Sequence, residues 1–161
     1  HELLPNDVLQ ELMHKSLSQI GGFDYTSKEN EFAKRIAETL GKPLNMAFVN
    51  GVEPYDPNAL PMGSTDVGDV SFTVPTAGMG AATWVPGTPA HSWQAVATGG
   101  TTIGNKGMLV AAKTLALTAF KLLDNPKIMK EAHAEFLEKR GANFKYIPLL
   151  GDRSPALDYR N

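Results

Sequence analysis

Apolar positions in the first forty residues recur at spacings of three and four. Leu9, Leu12, Met13, Leu17 and Ile20 fall on one face of a helix that opens at Asn6 or Asp7 and is stopped by Gly21-Gly22. A second helix follows from Thr26-Ser27-Lys28-Glu29, whose form is that of a capping box. The Thr26 hydroxyl accepts from the Glu29 amide while the Glu29 carboxylate reaches back. Phe32, Ala33, Ile36, Ala37 and Leu40 give it a buried stripe, and Gly41 ends it.

The texture changes between residues 42 and 105, where Pro43, Pro54, Pro57, Pro61, Pro75, Pro86 and Pro89 exclude long helices. Two β-rich runs bounded by Gly and Pro, 69–74 (DVSFTV) and 81–85 (AATWV), are predicted as short buried strands. Helical periodicity returns from Lys106 to Leu123 in a segment apolar around most of its circumference, expected to lie sandwiched between other elements. Asn125-Pro126 opens a last helix that Gly141 terminates near Arg140, and 143–161 reads as loop. With no repeat and no linker, the pattern predicts one α/β unit of short buried strands packed with helices.

The chain has 161 residues, 42% hydrophobic and 20% charged, enough to bury the core of one domain. Its 15 basic and 17 acidic residues leave a net charge of −2 without charge runs, which removes the electrostatic basis for binding nucleic acid or an anionic membrane. No apolar run is long enough to span a bilayer, and the start lacks the basic and apolar regions of an export signal. Zero cysteines exclude disulfides, thiolate metal sites and thiol nucleophiles. A cytoplasmic location is the expectation. A chain that begins at His1 and enters a helix almost at once reads as a piece of something longer.

Four histidines carry the candidate chemistry. His14 and His133 lie within amphipathic helices and lack a second ligand at helical spacing, so both read as surface positions, and His1 is terminal. His91 follows the turn-forming segment 86–90 (PGTPA) just after a predicted strand, where loops often carry sites, although a structural role is the commoner outcome for a lone loop histidine. In Gly63-Ser64-Thr65-Asp66-Val67-Gly68-Asp69, the two carboxylates could bind a cation, orient a histidine or cap the loop. Spacing alone favours the cap. Dinucleotide, phosphate-loop and GxSxG patterns are absent, and Trp84, Trp93 and Phe120 read as core.

Taken together, GSTDVGDVSFTVPT (63–76), GTPAHSWQAVATGGTTIGNKGMLVAAK (87–113) and ELLPND (2–7) resemble the aminoacylase/carboxypeptidase family of dinuclear metallohydrolases, most of all the p-aminobenzoyl-glutamate hydrolase-like amidohydrolases. The resemblance implies that 1–161 is the C-terminal part of a zinc-exopeptidase-like catalytic domain, the N-terminal part and the lid or dimerisation domain being absent. It implies that His91 is a metal ligand, that Ser64, Thr65 and Asp66 lie beside substrate or position the ligand loops, and that Asp69 corresponds more weakly. Neither aspartate is implied as a direct ligand.

The implied reaction is hydrolysis of the amide of an acyl- or aroyl-amino acid such as p-aminobenzoyl-glutamate, with two divalent ions, zinc or manganese, activating water. The general base and remaining ligands have no motif here. One histidine cannot hold a catalytic metal that requires three protein ligands, so the isolated chain is expected to bind metal poorly and to be inactive. The implied partners are the small substrate, the missing N-terminal part and further copies in a homo-oligomer. An alternative is a non-catalytic interaction module packing through the helix at 106–123. A complete small enzyme built on Asp66, Asp69 and His91 is disfavoured because no nucleophile or second base accompanies them.

Overall fold

The computed structural model describes residues 2–57, 65–148 and 151–158. Its elements are α1 (Asp7–Ile20), α2 (Ser27–Leu40), α3 (Ala47–Asn50), α4 (Val67–Ser71), α5 (Trp93–Gly99), α6 (Thr102–Asp124) and α7 (Pro126–Arg140). The expected helices are all present with their caps. Asn6 accepts from the Leu9 amide at 3.1 Å, and its Nδ2 donates to the Ala132 carbonyl at 2.8 Å, so one side chain closes α1 and ties it to α7. Glu135 of α7 accepts from the free amides of Asp7 and Val8 at 2.8 and 3.0 Å, satisfying two further donors at the α1 N-terminus.

Helix α6 organises the molecule. Along its C-terminal half Thr114 and Thr118 pack against α1, where Ser16 is fully buried and the Thr118 hydroxyl contacts Met13 Sδ at 3.7 Å. Lys121 donates to Ser16 Oγ at 3.2 Å and to Gln19 Oε1 at 2.5 Å. Its N-terminal end supplies Ile103 to the main core with Tyr25, Ala33, Ile36, Val49 and Val85, around which Phe23, Phe32, Leu44 and Met46 pack. Gly107 faces the backbone of the 80s segment so closely that a Cβ there would lie 2.5 Å from the Ala82 carbonyl oxygen.

The expected α/β class is not observed. Among the described residues there is no strand and no sheet, and the fold is helical. The run 69–74 begins inside α4 and continues as a turn, with Thr73 and Val74 amides donating to the Val70 carbonyl at 2.9 and 3.0 Å. Its hydroxyl residues stabilise that winding. Ser71 Oγ donates to the Gly68 carbonyl at 2.6 Å and Thr73 Oγ1 to the Asp69 carbonyl at 3.1 Å, local bonds that compete with a ladder. The run 81–85 lacks a neighbouring strand to pair with among the described residues. It buries Val85 and lays Ala82 against α6, but a β-prone sequence makes a strand only where another backbone meets it.

Two further expectations differ. Helix α6 is covered on the faces toward α1 and the main core, but Met108, Leu109, Leu115, Phe120 and Leu123 are exposed, so it is not sandwiched. Trp93 and Phe120 are largely exposed and Trp84 marginally so, rather than core. No helix among the described residues is long and apolar enough to cross a membrane.

Candidate functional site

His91 sits in the turn that leads into α5, with its side chain exposed. Its backbone has φ 58°, the left-handed region, and among the described residues it is the one non-glycine there. Such a conformation costs an L-residue about 1–2 kcal/mol and persists where the surroundings over-determine it. Ser92 does so here. Its Oγ donates to the Pro89 carbonyl at 2.7 Å and accepts from the Ala95 amide at 3.2 Å, bridging the residues before His91 to the first turn of α5. Helix α5 is anchored in turn by Thr98, which is fully buried, and by Gln94, whose amide donates to Thr39 Oγ1 at 3.3 Å on α2. The loop therefore presents an imidazole to solvent from a rigid base.

The other expected site residues lie on different elements. Ser64 falls outside the described residues. Thr65 and Asp66 are exposed at the start of α4, where the Thr65 hydroxyl, rather than the Asp66 carboxylate expected to cap the loop, accepts from the Val67 amide at 3.2 Å. Asp66 occupies the N-cap position without a side-chain cap bond. Asp69 accepts from the Tyr146 hydroxyl at 3.0 Å, which draws its pKa below the ordinary carboxylate value. The α4 region is pinned near both ends of the chain, by Leu4 N donating to Ser71 Oγ at 2.9 Å and by the Phe72–Phe144 ring pair at 5.0 Å. The His91 loop is fastened to α2 instead, through α5.

Of the other histidines, His14 lies half-buried against the Tyr55 ring at 5.5 Å, and His133 is exposed beside Phe136. No group of three or more His, Asp or Glu residues able to hold a metal ion occurs among the described residues. His91 thus belongs to no such group there, and it does not by itself fit a catalytic metal. A groove of about 670 Å³ runs between α1 and the 79–88 segment, lined by residues including Leu17, Phe48, Met79 and Trp84, and His91 is not in its wall.

A cluster that local sequence patterns do not reveal surrounds Glu29. Its Oε2 accepts from Thr26 N and Lys106 Nζ, both at 2.6 Å, and its Oε1 from Thr102 Oγ1 at 2.6 Å, while Lys106 also donates to the Asp24 carbonyl at 2.9 Å. Burial pushes the Glu29 carboxyl up, but the bonds from Lys106, Thr102 and Thr26 outweigh it and pull its pKa down to about 2. The capping box marks Glu29 in the sequence. Its partners 73 and 77 residues away carry no local signal. Beside it, burial and the Glu29 charge push the Tyr25 hydroxyl up to about 12, and that hydroxyl has no hydrogen-bond partner among the described residues.

Comparison with known proteins adds a relative to this geometry. The chain is similar to one of the subunits of p-aminobenzoyl-glutamate hydrolase from Escherichia coli. The two are 33% identical over 179 aligned residues, which takes in 95% of this chain and 37% of the relative. The chain therefore spans a little over a third of the length of that hydrolase component. No family model and no solved structure matches it. The resemblance carried by 63–76, 87–113 and 2–7 is borne out by this likeness.

Proposed function

We propose that this chain forms a section of a hydrolase that cleaves the amide bond of an aroyl- or acyl-amino acid of the p-aminobenzoyl-glutamate type. The observation that carries the proposal is the 33% identity to the p-aminobenzoyl-glutamate hydrolase relative along 95% of the chain. Within that reading His91 is a metal ligand. Its exposed imidazole, its strained backbone and the Ser92 bridge support the role, because strain held in place by its surroundings concentrates at functional positions.

The two-metal site, zinc or manganese, is completed in this reading by ligands from outside the chain, since the donors among the described residues do not suffice. The general base comes from outside as well. The chain alone is accordingly inert, and Ser64, Thr65 and Asp66 act on substrate or loop position only if the complete assembly brings α4 toward His91.

The test is to replace the matching stretch of the Escherichia coli protein with this chain and assay release of glutamate from p-aminobenzoyl-glutamate. Activity in the folded chimera supports the assignment. A chimera with native circular dichroism and cooperative melting but no hydrolysis overturns it.

A further inference from the structure

We propose that Gln94 is a positioning residue, which sets where the His91 imidazole stands by locking α5 onto α2. The proposal rests on the reading that His91 takes part in the hydrolysis, and it concerns contacts made within the chain. Helix α5 has seven residues, too few to keep its place without tertiary contacts. Ala95 and Thr98 are buried on its inner side but bring only methyl-sized apolar groups. Apolar burial is non-directional, so these contacts press α5 onto its neighbours without fixing its tilt.

Gln94 supplies the direction. It is buried, and its Nε2 donates to Thr39 Oγ1 at 3.3 Å, across 55 positions of sequence. The Thr39 hydroxyl gives its own proton to the Ile36 carbonyl at 2.7 Å within α2, so toward Gln94 it can only accept. The far end of α5 is seated as well. Thr101 Oγ1 donates to the Thr98 carbonyl at 2.6 Å, and Gly104 of α6 comes so close that a Cβ there would overlap the Gly99 carbonyl. Helix α5 is thus held at Gly99 by α6 and at Gln94 by α2.

His91 moves with α5, because Ser92 Oγ bonds the Pro89 carbonyl on one side of it and the Ala95 amide on the other. From the Gly99 end to His91 the helix measures about 10 Å. If the Gln94 end is released, a tilt of about 6° about Gly99 displaces the imidazole by about 1 Å. A displacement of about 1 Å in a group that takes part in the chemistry can lower the rate about 100-fold.

The test compares Gln94→Leu, Thr39→Val, the double variant and Thr39→Ser, each in the chimera and in the 161-residue chain. In the chimera, kcat for p-aminobenzoyl-glutamate is expected to fall about 10- to 100-fold in the first three, with KM within about twofold. Thr39→Ser keeps the hydroxyl and is expected to keep the rate. The double variant replaces both bonding partners by apolar groups and is expected to regain the stability that either single change loses, but not kcat. That split separates positioning from folding. In the chain, the His91 ring signal is followed by NMR at fixed pH and is assigned by its loss in His91→Ala. It is expected to shift and broaden in Thr39→Val and in the double variant, to stay in place in Thr39→Ser, and to change more than the signals of His14 and His133. A His91 signal unmoved by Thr39→Val overturns the proposal, as does a double variant whose kcat recovers with its stability. The spectra need no hydrolysis, so an inactive chimera overturns the hydrolase reading while they still decide whether Gln94 places His91.

Discussion

Glu29 gives the most quantitative test of how this fold is held. Its carboxylate joins the start of α2 to the first turns of α6 through Thr102 and Lys106 and is almost wholly buried. The fall in pKa from 4.5 to about 2 sets an upper limit of about 3 kcal/mol on the stabilisation of the charged form. Lys106 is 31% exposed, and solvent screening brings the usable part to about 1–2 kcal/mol. The folded-state pKa is depressed, so this stability is present in full above the unfolded pKa and is lost as pH falls toward the folded one, a window from about 4.5 to about 2.

Glu29→Gln removes the charge while keeping the shape. Urea unfolding should show the variant less stable by about 1–2 kcal/mol at pH 7, with the gap closing as pH is lowered from about 5 to about 2. A gap that stays constant across that range would refute the reasoning, because it would place the cost in shape or hydrogen bonding rather than in charge.

Other expectations can be checked by the same unfolding measurements. Asn6→Ala loses both the cap of α1 and the buried bond to Ala132, and should cost about 1–2 kcal/mol. Gly107→Ala gains helix propensity but drives a methyl into the Ala82 carbonyl, so it should lower the melting temperature, with a cost of about 1–3 kcal/mol. His91→Gly relieves the left-handed backbone and should stabilise the chain by about 1 kcal/mol. A loss of stability on that change would mean the imidazole makes contacts that hold the loop.

The helices are legible because their signals are local. The Asn6 cap, the Thr26–Glu29 box and Asn125-Pro126 each specify an end within four residues, and each is present as read. The two β-rich runs mislead for a reason of the opposite kind. Strand formation depends on a second backbone, and neither 69–74 nor 81–85 has one among the described residues, so Ser71 and Thr73 wind the first and α6 receives the second. The exposure of Phe120 and Trp93 is hidden too, since an apolar pattern shows which face seeks cover but not whether cover is there.

At the site, the sequence locates the His91 loop but not its geometry. The positive φ and the two hydrogen bonds of the Ser92 hydroxyl arise from how the 89–95 turn closes, and no single residue type announces them. Thr65 and Asp66 join His91 in one active site only through resemblance. The structure attaches them to the Leu4, Phe144 and Tyr146 region, while His91 stands on α5 and α2. The Glu29 cluster escapes a sequence reading because its partners come from another helix far along the chain.

If His91 is a metal ligand of an amide hydrolase, its removal must cost both catalysis and bound metal. In the chimera carrying this chain, kcat/KM for p-aminobenzoyl-glutamate is measured with His91 in place and with His91→Ala, and bound metal is counted by elemental analysis. The expected result is a loss of at least about 100-fold together with a fall in bound metal, at unchanged helix content. Activity within about twofold of the parent and an undiminished metal count would remove His91 from the metal site.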